Sequence, residues 1–556
     1  MSTETKTLVL DIETNRAHNT IWLCVTQDVD TGEVTCHTEA STLAPLVKEY
    51  DKIIGHNLIG FDAPVLRKVW NIGILKSKAI DTLVLSRLLN PQLEGGHSLK
   101  AWGKRLRNEK VEFQLEDFDS GLTEEMREYC IQDVKLTRDL YLWLVSELNM
   151  WKDPTQSILL EHEIAAICRT QESNGFKLDV PSTISLRNDL ADKMDAIESQ
   201  MQSVFPPITE ERWSEKTGKR LKDKITIFNV GSRKQISERL MSLGWKPTKR
   251  TEKGQPIVDE TTLEGISIPE AKFIAEYLMM QKRIGLIDSW LKFVKADSDR
   301  VHGAIITNGA VTGRMTHHSP NMGQIPSITK PYGKDCRKLW TVDSGNVLVG
   351  TDLAGIELRC LAHYMQDDEW QQELLDGDIH TKNQKAAGLD TRAQAKTFIY
   401  ATLYGAGATK IGSIVGGGAK EGQTLLDNFY NNTPKLRRLL EKVHNISDKG
   451  YVPGLDGRRI QVRSQHAALN SLLQGCGAII AKQWAIESHQ EFRRRGIHVK
   501  QVAFVHDEIQ IETEEKNGEQ VAAIMCAAAS QAGLTLGFRC PVDAESKIGN
   551  NWFDTH

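Results

Sequence analysis

The chain has 556 residues, 40% of them hydrophobic and 26% charged, with a formal net charge of −4. That length exceeds one ordinary core and predicts two or more globular domains, and a balance so near neutral does not by itself announce nucleic acid. No apolar run is long enough to span a bilayer and MSTETKTLVL does not read as a secretory signal, so no membrane is expected; nine scattered cysteines without a CxxC pair argue against a zinc site or a disulfide framework and fit a reducing cytoplasm.

In chain order, the first 150 residues read as α/β. TLVLDIE reads as a strand, and TEEMREYCIQDVKLTRDLYLWLVSEL reads as a helix. The pattern changes at Asp153-Pro154, where a boundary is expected. TQSILLEHEIAAICRTQESNG then starts a long helical region, with Gly175 as its stop. Helices are expected to dominate to about residue 295. Within that stretch, residues 216–253 are rich in Lys and Arg. A solvated loop is the plainer reading, and a phosphate-binding surface is the alternative. Gly- and Pro-rich loops fill 302–335, and NVLVGTDLAG reads as a strand. Residues 378–445 read as mostly helical, and QVAFVHDEIQIE returns to strand. In that last segment Ala503, Val505, Ile509 and Ile511 share one parity, and so does Asp507. A carboxylate on an apolar strand face is costly unless its charge is offset.

Two constellations carry chemistry. In VLDIETN, Asp11 and Glu13 are two apart on a strand and leave the same face. GHNLIGFDAPVL adds Asp62. EYCIQDVKLT adds Tyr129 and Asp133, four apart on one helix face. Brought together, four carboxylates would need cations. Two hard divalent ions roughly 4 Å apart would neutralise them and clamp a phosphodiester, and the Tyr129 phenol could orient the attacking water. Singly, each acid reads more readily as a surface or capping residue. In the order DIE, HNLIGFD, YCIQD they resemble the 3′–5′ proofreading exonuclease domain of DNA polymerases, over about residues 7–145.

The second constellation lies downstream. Asp352 ends the strand VLVGTDLAG, and Glu357 follows a turn. In DTRAQAKTFIYATLYGAG, Arg392, Lys396 and Tyr400 stand at i, i+4 and i+8, two cations and a ring on one helical stripe. Such a stripe suits a triphosphate followed by a sugar and base. A solvated basic face with a core tyrosine is the bland alternative. LYGAG beside it reads as a hinge. TDLAGIELR, RAQAKTFIYATLYGAG and HDE at 506–508 look like motifs A, B and C of family A (Pol I-like) DNA polymerases. GAVTGRMTHHSPNMGQIP, GDIHTKNQ and HAALNSLLQGCGA agree. The whole is similar to the replicative polymerases of short-tailed phages that recruit host thioredoxin.

The resemblance implies a fold class: an α/β exonuclease domain (ribonuclease H-like, DnaQ-type) over residues 1–150, then an α+β right-hand polymerase domain over 151–556. Its thumb would span about 175–300, its palm about 301–377 and 446–556, and its fingers about 378–445. It implies a template-directed DNA polymerase with 3′–5′ exonuclease activity. Asp352, Asp507 and the Leu353 carbonyl would hold two Mg²⁺, and Asp11, Glu13, Asp62 and Asp133 two more, with Mn²⁺ as a substitute. Arg392, Lys396 and His380 would grip the incoming dNTP, with Lys396 a candidate proton donor to the leaving pyrophosphate. Glu357 matches a steric gate against ribose. Tyr400 matches the position beside the sugar 3′ carbon, in the form that accepts chain terminators. Arg314, Gln474 and His506 match residues that touch the primer–template end. Strand alternation sets Asp507 apart from Glu508, making Asp507 the essential acid and Glu508 an auxiliary, unless a hairpin turn interrupts the alternation.

The chain also departs from those phage enzymes. FPPITEERWSEKTGKRLKDKITIFNVGS leaves no room for their long thumb insertion, so thioredoxin is not expected as a partner. The segment between FDAPVL and EYCIQDV is shorter, and the start of the chain predicts no 5′–3′ nuclease. Primer–template DNA and dNTPs are the expected partners of a monomer in the cytoplasm, of a bacterial host if phage-encoded, with a helicase–primase and a single-stranded DNA-binding protein as further candidates. A single-subunit RNA polymerase shares palm and fingers, but Glu357 and the exonuclease motifs argue against it. A DNA-binding protein without catalysis would not need every carboxylate. A nuclease with a vestigial polymerase half would keep all activity in Asp352→Ala.

Overall fold

β1 (Thr7–Thr14) is apolar on both faces. Leu8, Leu10 and Ile12 enter one buried cluster, and Val9 enters another on the opposite side. Such a strand belongs inside a covered sheet. Its sheet also contains β2 (Ile21–Asp28), β3 (Val34–His37), β4 (Lys52–Gly55) and β5 (Ala79–Asp81), in the order β3-β2-β1-β4-β5. β2 and β3 pair antiparallel, whereas β4 and β5 continue parallel to β1. Helices α1 (Ala40–Glu49), α2 (Asp62–Val69), α3 (Thr82–Leu89), α4 (Leu99–Arg105) and α5 (Glu124–Leu148) accompany this sheet. α5 sends Cys130 and Val134 into the cluster around Val9, so it covers the face that Asp11 and Glu13 also occupy. The computed structural model describes residues 5–108, 119 and 121–556. Part of the shortened segment before Tyr129 therefore lies outside the described residues.

A break follows α5, and α6 (Thr155–Asn174) begins just after Pro154, as the Asp153-Pro154 pair predicts. Gly175 ends α6 at φ +62°, and a Cβ there would come within 2.8 Å of His302, so only glycine fits. After β6 (Phe176–Leu178) comes α7 (Val180–Val204). Then follow β7 (Ile208–Trp213), β8 (Arg220–Thr226), α8 (Arg233–Ser242), α9 (Glu260–Glu264) and α10 (Pro269–Phe293). α7 and α10 have 25 residues each and pack together as an arm. At 1.5 Å per residue the arm is about 37 Å long.

Helices are not continuous to residue 295. β7 and β8 form an antiparallel hairpin whose side chains are almost all exposed. Part of the basic stretch lies here, and its charges are partly matched: Arg220 lies near Glu211 and Asp223, and Lys224 near Glu210. Pairing of β7 with β8 satisfies backbone groups between the two strands, but there is no core for either face to cover.

At the foot of the arm come β9 (Val294–Lys295), β10 (Arg300–Val301), β11 (Ala304–Ile306), β12 (Thr316–His318), α11 (Gly333–Lys338) and β13 (Trp340–Thr341). One small sheet has the order β13-β6-β10-β9. β14 (Asn346–Leu353) follows, as expected. Residues 378–445 are helical: after α12 (Ile356–Met365) and α13 (Asp368–Asp376) come α14 (Ile379–Ala387), α15 (Arg392–Leu403), α16 (Ala408–Gly412), α17 (Ala419–Asn432) and α18 (Pro434–Ser447). The chain ends with β15 (Tyr451–Pro453), β16 (Arg459–Gln461), α19 (Gln465–Arg495), β17 (Lys500–Val505), β18 (Glu508–Glu514), α20 (Gly518–Thr535) and β19 (Ala544–Gly549). The main sheet here has the order β17-β18-β14-β19 and is antiparallel throughout. Val349, Leu353, Phe504, Ile509 and Ile511 pack with α19 and α20 in the largest core.

The register corrects one expectation. Val505 pairs with Glu508, so His506 and Asp507 form a two-residue turn. Across such a turn, odd-numbered residues before it share a face with even-numbered residues after it. Ala503 and Val505 therefore lie with Glu508, Gln510 and Glu512. Ile509 and Ile511 lie opposite, with Phe504. Asp507 is not on an apolar strand face. It stands at the apex of the hairpin, and His506 beside it takes φ +59°.

Candidate functional site

Asp352 lies at the end of β14, between Glu508 of β18 and Glu545 of β19, its partners in the register. Three acids thus stand side by side on the face opposite α20. Leu353 is buried, and its N–H donates to the Asp507 carbonyl at 3.0 Å, which brings the turn up against the end of β14. Partial burial, together with the charges of Asp507, Glu508 and Glu545, pushes the Asp352 carboxyl up to about 7. Burial also raises Asp507, and Arg314 and His506 partly counter it. Both acids resist ionising together without a cation, and an all-oxygen set of this kind fits Mg²⁺.

Glu508 is held differently. Its carboxylate is buried and accepts from Gln510 Nε2 at 2.7 Å and from Trp552 Nε1, while Arg337 lies 3.5 Å away and His556 Nδ1 3.6 Å. Trp552 and His556 belong to the last turn of the chain. Asp507 and Glu508 thus differ in anchoring and in their place at the turn, not by strand alternation.

Arg392, Lys396 and Tyr400 do share one stripe of α15. A capping box at Thr391 and Gln394 starts that helix. Arg392 Nε donates to Asp378 Oδ2 at 2.7 Å, Lys396 is exposed, and the Tyr400 ring lies 6.5 Å from that of His380. Burial lowers the His380 pKa, and Arg392 and Lys396 lower it further. Glu357, in the first turn of α12, accepts from the Tyr404 hydroxyl and from Arg314. Tyr404 continues the same stripe at i+12 and is absent from the sequence-based set. The signal was present in the spacing, hidden by the glycine that follows it. Gln474 is the one residue from Ser471 to Ile486 that is not buried, so α19 leaves it out of the core. His506 is exposed on its turn, near the charges of Arg314 and Asp507.

In the N-terminal unit, donor atoms of Asp11, Glu13 and Cys130 lie within 4.8 Å of one another. Cys130 Sγ donates to Asp11 Oδ2 at 3.5 Å, and burial holds the thiol well above its usual range. Asp62 begins α2, is buried, and its Oδ1 accepts from the Ile12 N–H at 3.2 Å. Burial and then the Asp11 charge raise its pKa well above normal. Asp133 is buried one turn along α5 from Cys130, and Tyr129 is half-buried beside it. Cys130 was missed because a cysteine between a tyrosine and an aspartate reads as packing. The carboxylates present fit hard divalent cations.

The sequence profile described as "DNA polymerase family A" matches residues 208–554. The chain belongs to that family. It is 34% identical to the DNA-directed DNA polymerase of Enterobacteria phage T3, over 92% of this chain and 93% of that one. It is likewise 34% identical to that of Escherichia phage T7, over 91% and 92%. The alignment with the T3 protein runs over 659 positions, more than the 556 residues here, so that relative carries segments this family A chain lacks. DNA polymerase I of Aquifex aeolicus is 26% identical over 92% of this chain and 90% of its own. The fold matches the POL domain of Pol1 from M. smegmatis in complex with DNA primer-template and dNTP, with a TM-score of 0.80 and 18% identity, covering 100% of this chain and 96% of that one. Among the described residues, no helix of this polymerase-family chain is long and apolar enough to cross a membrane.

Proposed function

We propose that the chain is a template-directed DNA polymerase that extends a primer 3′ end with deoxynucleotides, and that its N-terminal unit, about residues 1–150, is a 3′–5′ proofreading exonuclease. The observation that carries the first half is the convergence of Asp352 and Asp507, from a strand end and a hairpin apex, beside the α15 stripe. In this reading α7 to α10 form the thumb, the sheet β17-β18-β14-β19 the palm, and residues about 378–445 the fingers.

Asp352, Asp507 and the Leu353 carbonyl would hold Mg²⁺ at the polymerase site, and Asp11, Glu13, Asp62 and Asp133 at the exonuclease site. Bound there, the ions supply a lowered pKa for the attacking oxygen and charge neutralisation for the leaving one. The chain's own residues do the rest. Arg392 and Lys396 bind phosphate oxygens, so Arg392 exchanges Asp378 for the nucleotide. Tyr400 packs against the sugar. Glu357, held by Tyr404 and Arg314, fills the space a 2′-OH would need. Gln474, through its amide N–H, and Arg314 donate at the minor-groove edge, where acceptors are common to all pairs. Tyr129 orients water at the exonuclease site. The experiment is primer extension and single-strand degradation by the wild type, Asp507→Ala and Asp11→Ala. Extension should vanish only in the first variant, and degradation should fall only in the second. Extension surviving Asp507→Ala would sink the reading.

A further inference from the structure

The loop that delivers Asp62 is shaped from outside itself. It runs from Gly55 at the end of β4 to Asp62 at the start of α2, and Asn57 within it takes φ +67°. Its backbone amides would be left open by so sharp a turn. They are satisfied by Asp81, at the end of β5. Asp81 is 2% exposed, and its carboxylate accepts from the Asn57 N–H at 2.9 Å, from Ile59 N–H at 3.0 Å and from Leu83 N–H at 2.9 Å. One side chain therefore caps α3 and pins the loop.

The Asp81 backbone is itself held by another part of the chain. Its N–H donates to His162 Nε2 at 2.9 Å, and His162 is a buried residue of α6. His162 Nδ1 lies 2.8 Å from the Ile158 carbonyl, which can only accept, so Nδ1 carries the proton and Nε2 is the acceptor. The preceding residue, Glu161, faces the other way and is fully buried. It meets Lys482 of α19 at 2.6 Å and Arg458 at 2.7 Å. Two adjacent residues of α6 thus fasten the carboxylate loop on one side and the Gln474-bearing helix on the other.

We propose that Asp81 and His162 are positioning residues of the N-terminal carboxylate site: they fix the backbone of residues 57–59 and so set where the Asp62 carboxylate stands. This rests on the exonuclease reading above. Outer partners of this kind alter metal affinity or activity by about 10–100-fold when removed.

The test uses the full-length protein with Asp81→Asn, His162→Leu and His162→Gln. Asparagine keeps the shape of Asp81 but turns an N–H toward backbone N–H groups. Glutamine can still accept from Asp81, and leucine cannot. Three quantities are read: single-strand degradation across a Mg²⁺ titration, primer extension, and hydrogen exchange at the amides of Asn57 and Ile59. Asp81→Asn should slow degradation about 10–100-fold. It should raise the Mg²⁺ half-saturation and speed exchange at both amides, with extension unchanged. His162→Leu should act in the same direction, and His162→Gln should recover most of the loss. Unchanged exchange and an unchanged Mg²⁺ half-saturation in Asp81→Asn would overturn the proposal. So would equal effects of leucine and glutamine at 162. A wild type that degrades no DNA overturns the exonuclease reading instead, and the exchange measurement still decides whether Asp81 shapes the loop.

Discussion

The hydroxyl of Tyr404 lies 2.9 and 2.8 Å from the two carboxylate oxygens of Glu357, and Arg314 approaches the same group at 3.2 Å. Glu357 lends a proton acceptor to the phenol and pushes its pKa, already raised by burial, up to about 12. In the proposed reading, Glu357 held from two sides cannot swing aside for a ribose hydroxyl. Glu357→Ala should raise relative incorporation of ribonucleotides about tenfold or more. Tyr404→Phe should raise it less, because Arg314 still restrains the acid. The check is the ratio of kcat/KM for ATP and dATP.

Tyr400 stands half-buried on α15, one turn before Tyr404, with its pKa raised by burial and by the charges of Glu357 and Asp507. In the proposed reading this residue lies beside the sugar 3′ carbon, in the form that accepts chain terminators. The wild type should incorporate dideoxynucleotides readily. Tyr400→Phe should reduce that incorporation about tenfold or more, with normal nucleotides little affected. Competition between ddTTP and dTTP on one template measures this directly.

The Asp352 carboxyl at about 7 makes stability, and the proposed metal binding, depend on pH. An acid raised in the folded state favours folding while protonated and opposes it once ionised. The stability it contributes is present near pH 4 and lost as pH rises through about 7. Asp352→Asn should therefore raise the melting temperature at pH 8 and leave it unchanged near pH 4. Mg²⁺ should stabilise the wild type at pH 8 more than at pH 6, since protons compete for the same oxygens. Calorimetric scans at the three pH values would contradict this if the variant gained nothing at pH 8.

Asp507 at the apex and Glu508 in its buried network should differ in kind. Asp507→Ala should abolish extension without loss of stability. Glu508→Gln should lower the melting temperature, because Arg337 then faces a neutral amide, and should reduce extension less. Equal losses of activity in folded proteins would show that both acids serve the reaction alike.

Glu161, Asp456, Arg458 and Lys482 form a fully buried cluster of two acids and two bases. Removing one partner leaves a buried charge unpaired. Arg458→Met should cost about 3–5 kcal/mol, measured by chemical denaturation.

Much of the site is legible in the sequence. Asp11 and Glu13 two apart, and the stripe Arg392, Lys396, Tyr400, follow from strand and helix periods alone, and β1, β14, α5 and α6 lie where the patterns place them. What could not be read is long-range. Asp81 looks like any helix cap, and only the tertiary fold shows that it also closes the loop before Asp62. The alternation through 501–512 misled because a turn of two residues reverses which parity faces the core. The β7–β8 hairpin is not legible for the opposite reason: with nothing buried, it leaves no hydrophobic signature.

That contrast bears on how such a gene can drift. In the β17–β18 hairpin the place of Asp507 is set by counting, since pairing of Val505 with Glu508 leaves room for two residues only. A single codon gained or lost there would carry the acid away from Asp352. Between Ile208 and Thr226 no core keeps the count, so insertions and deletions can accumulate without disturbing the sheet β17-β18-β14-β19. Length variation among relatives should therefore concentrate in the β7–β8 hairpin and be nearly absent from the β17–β18 one.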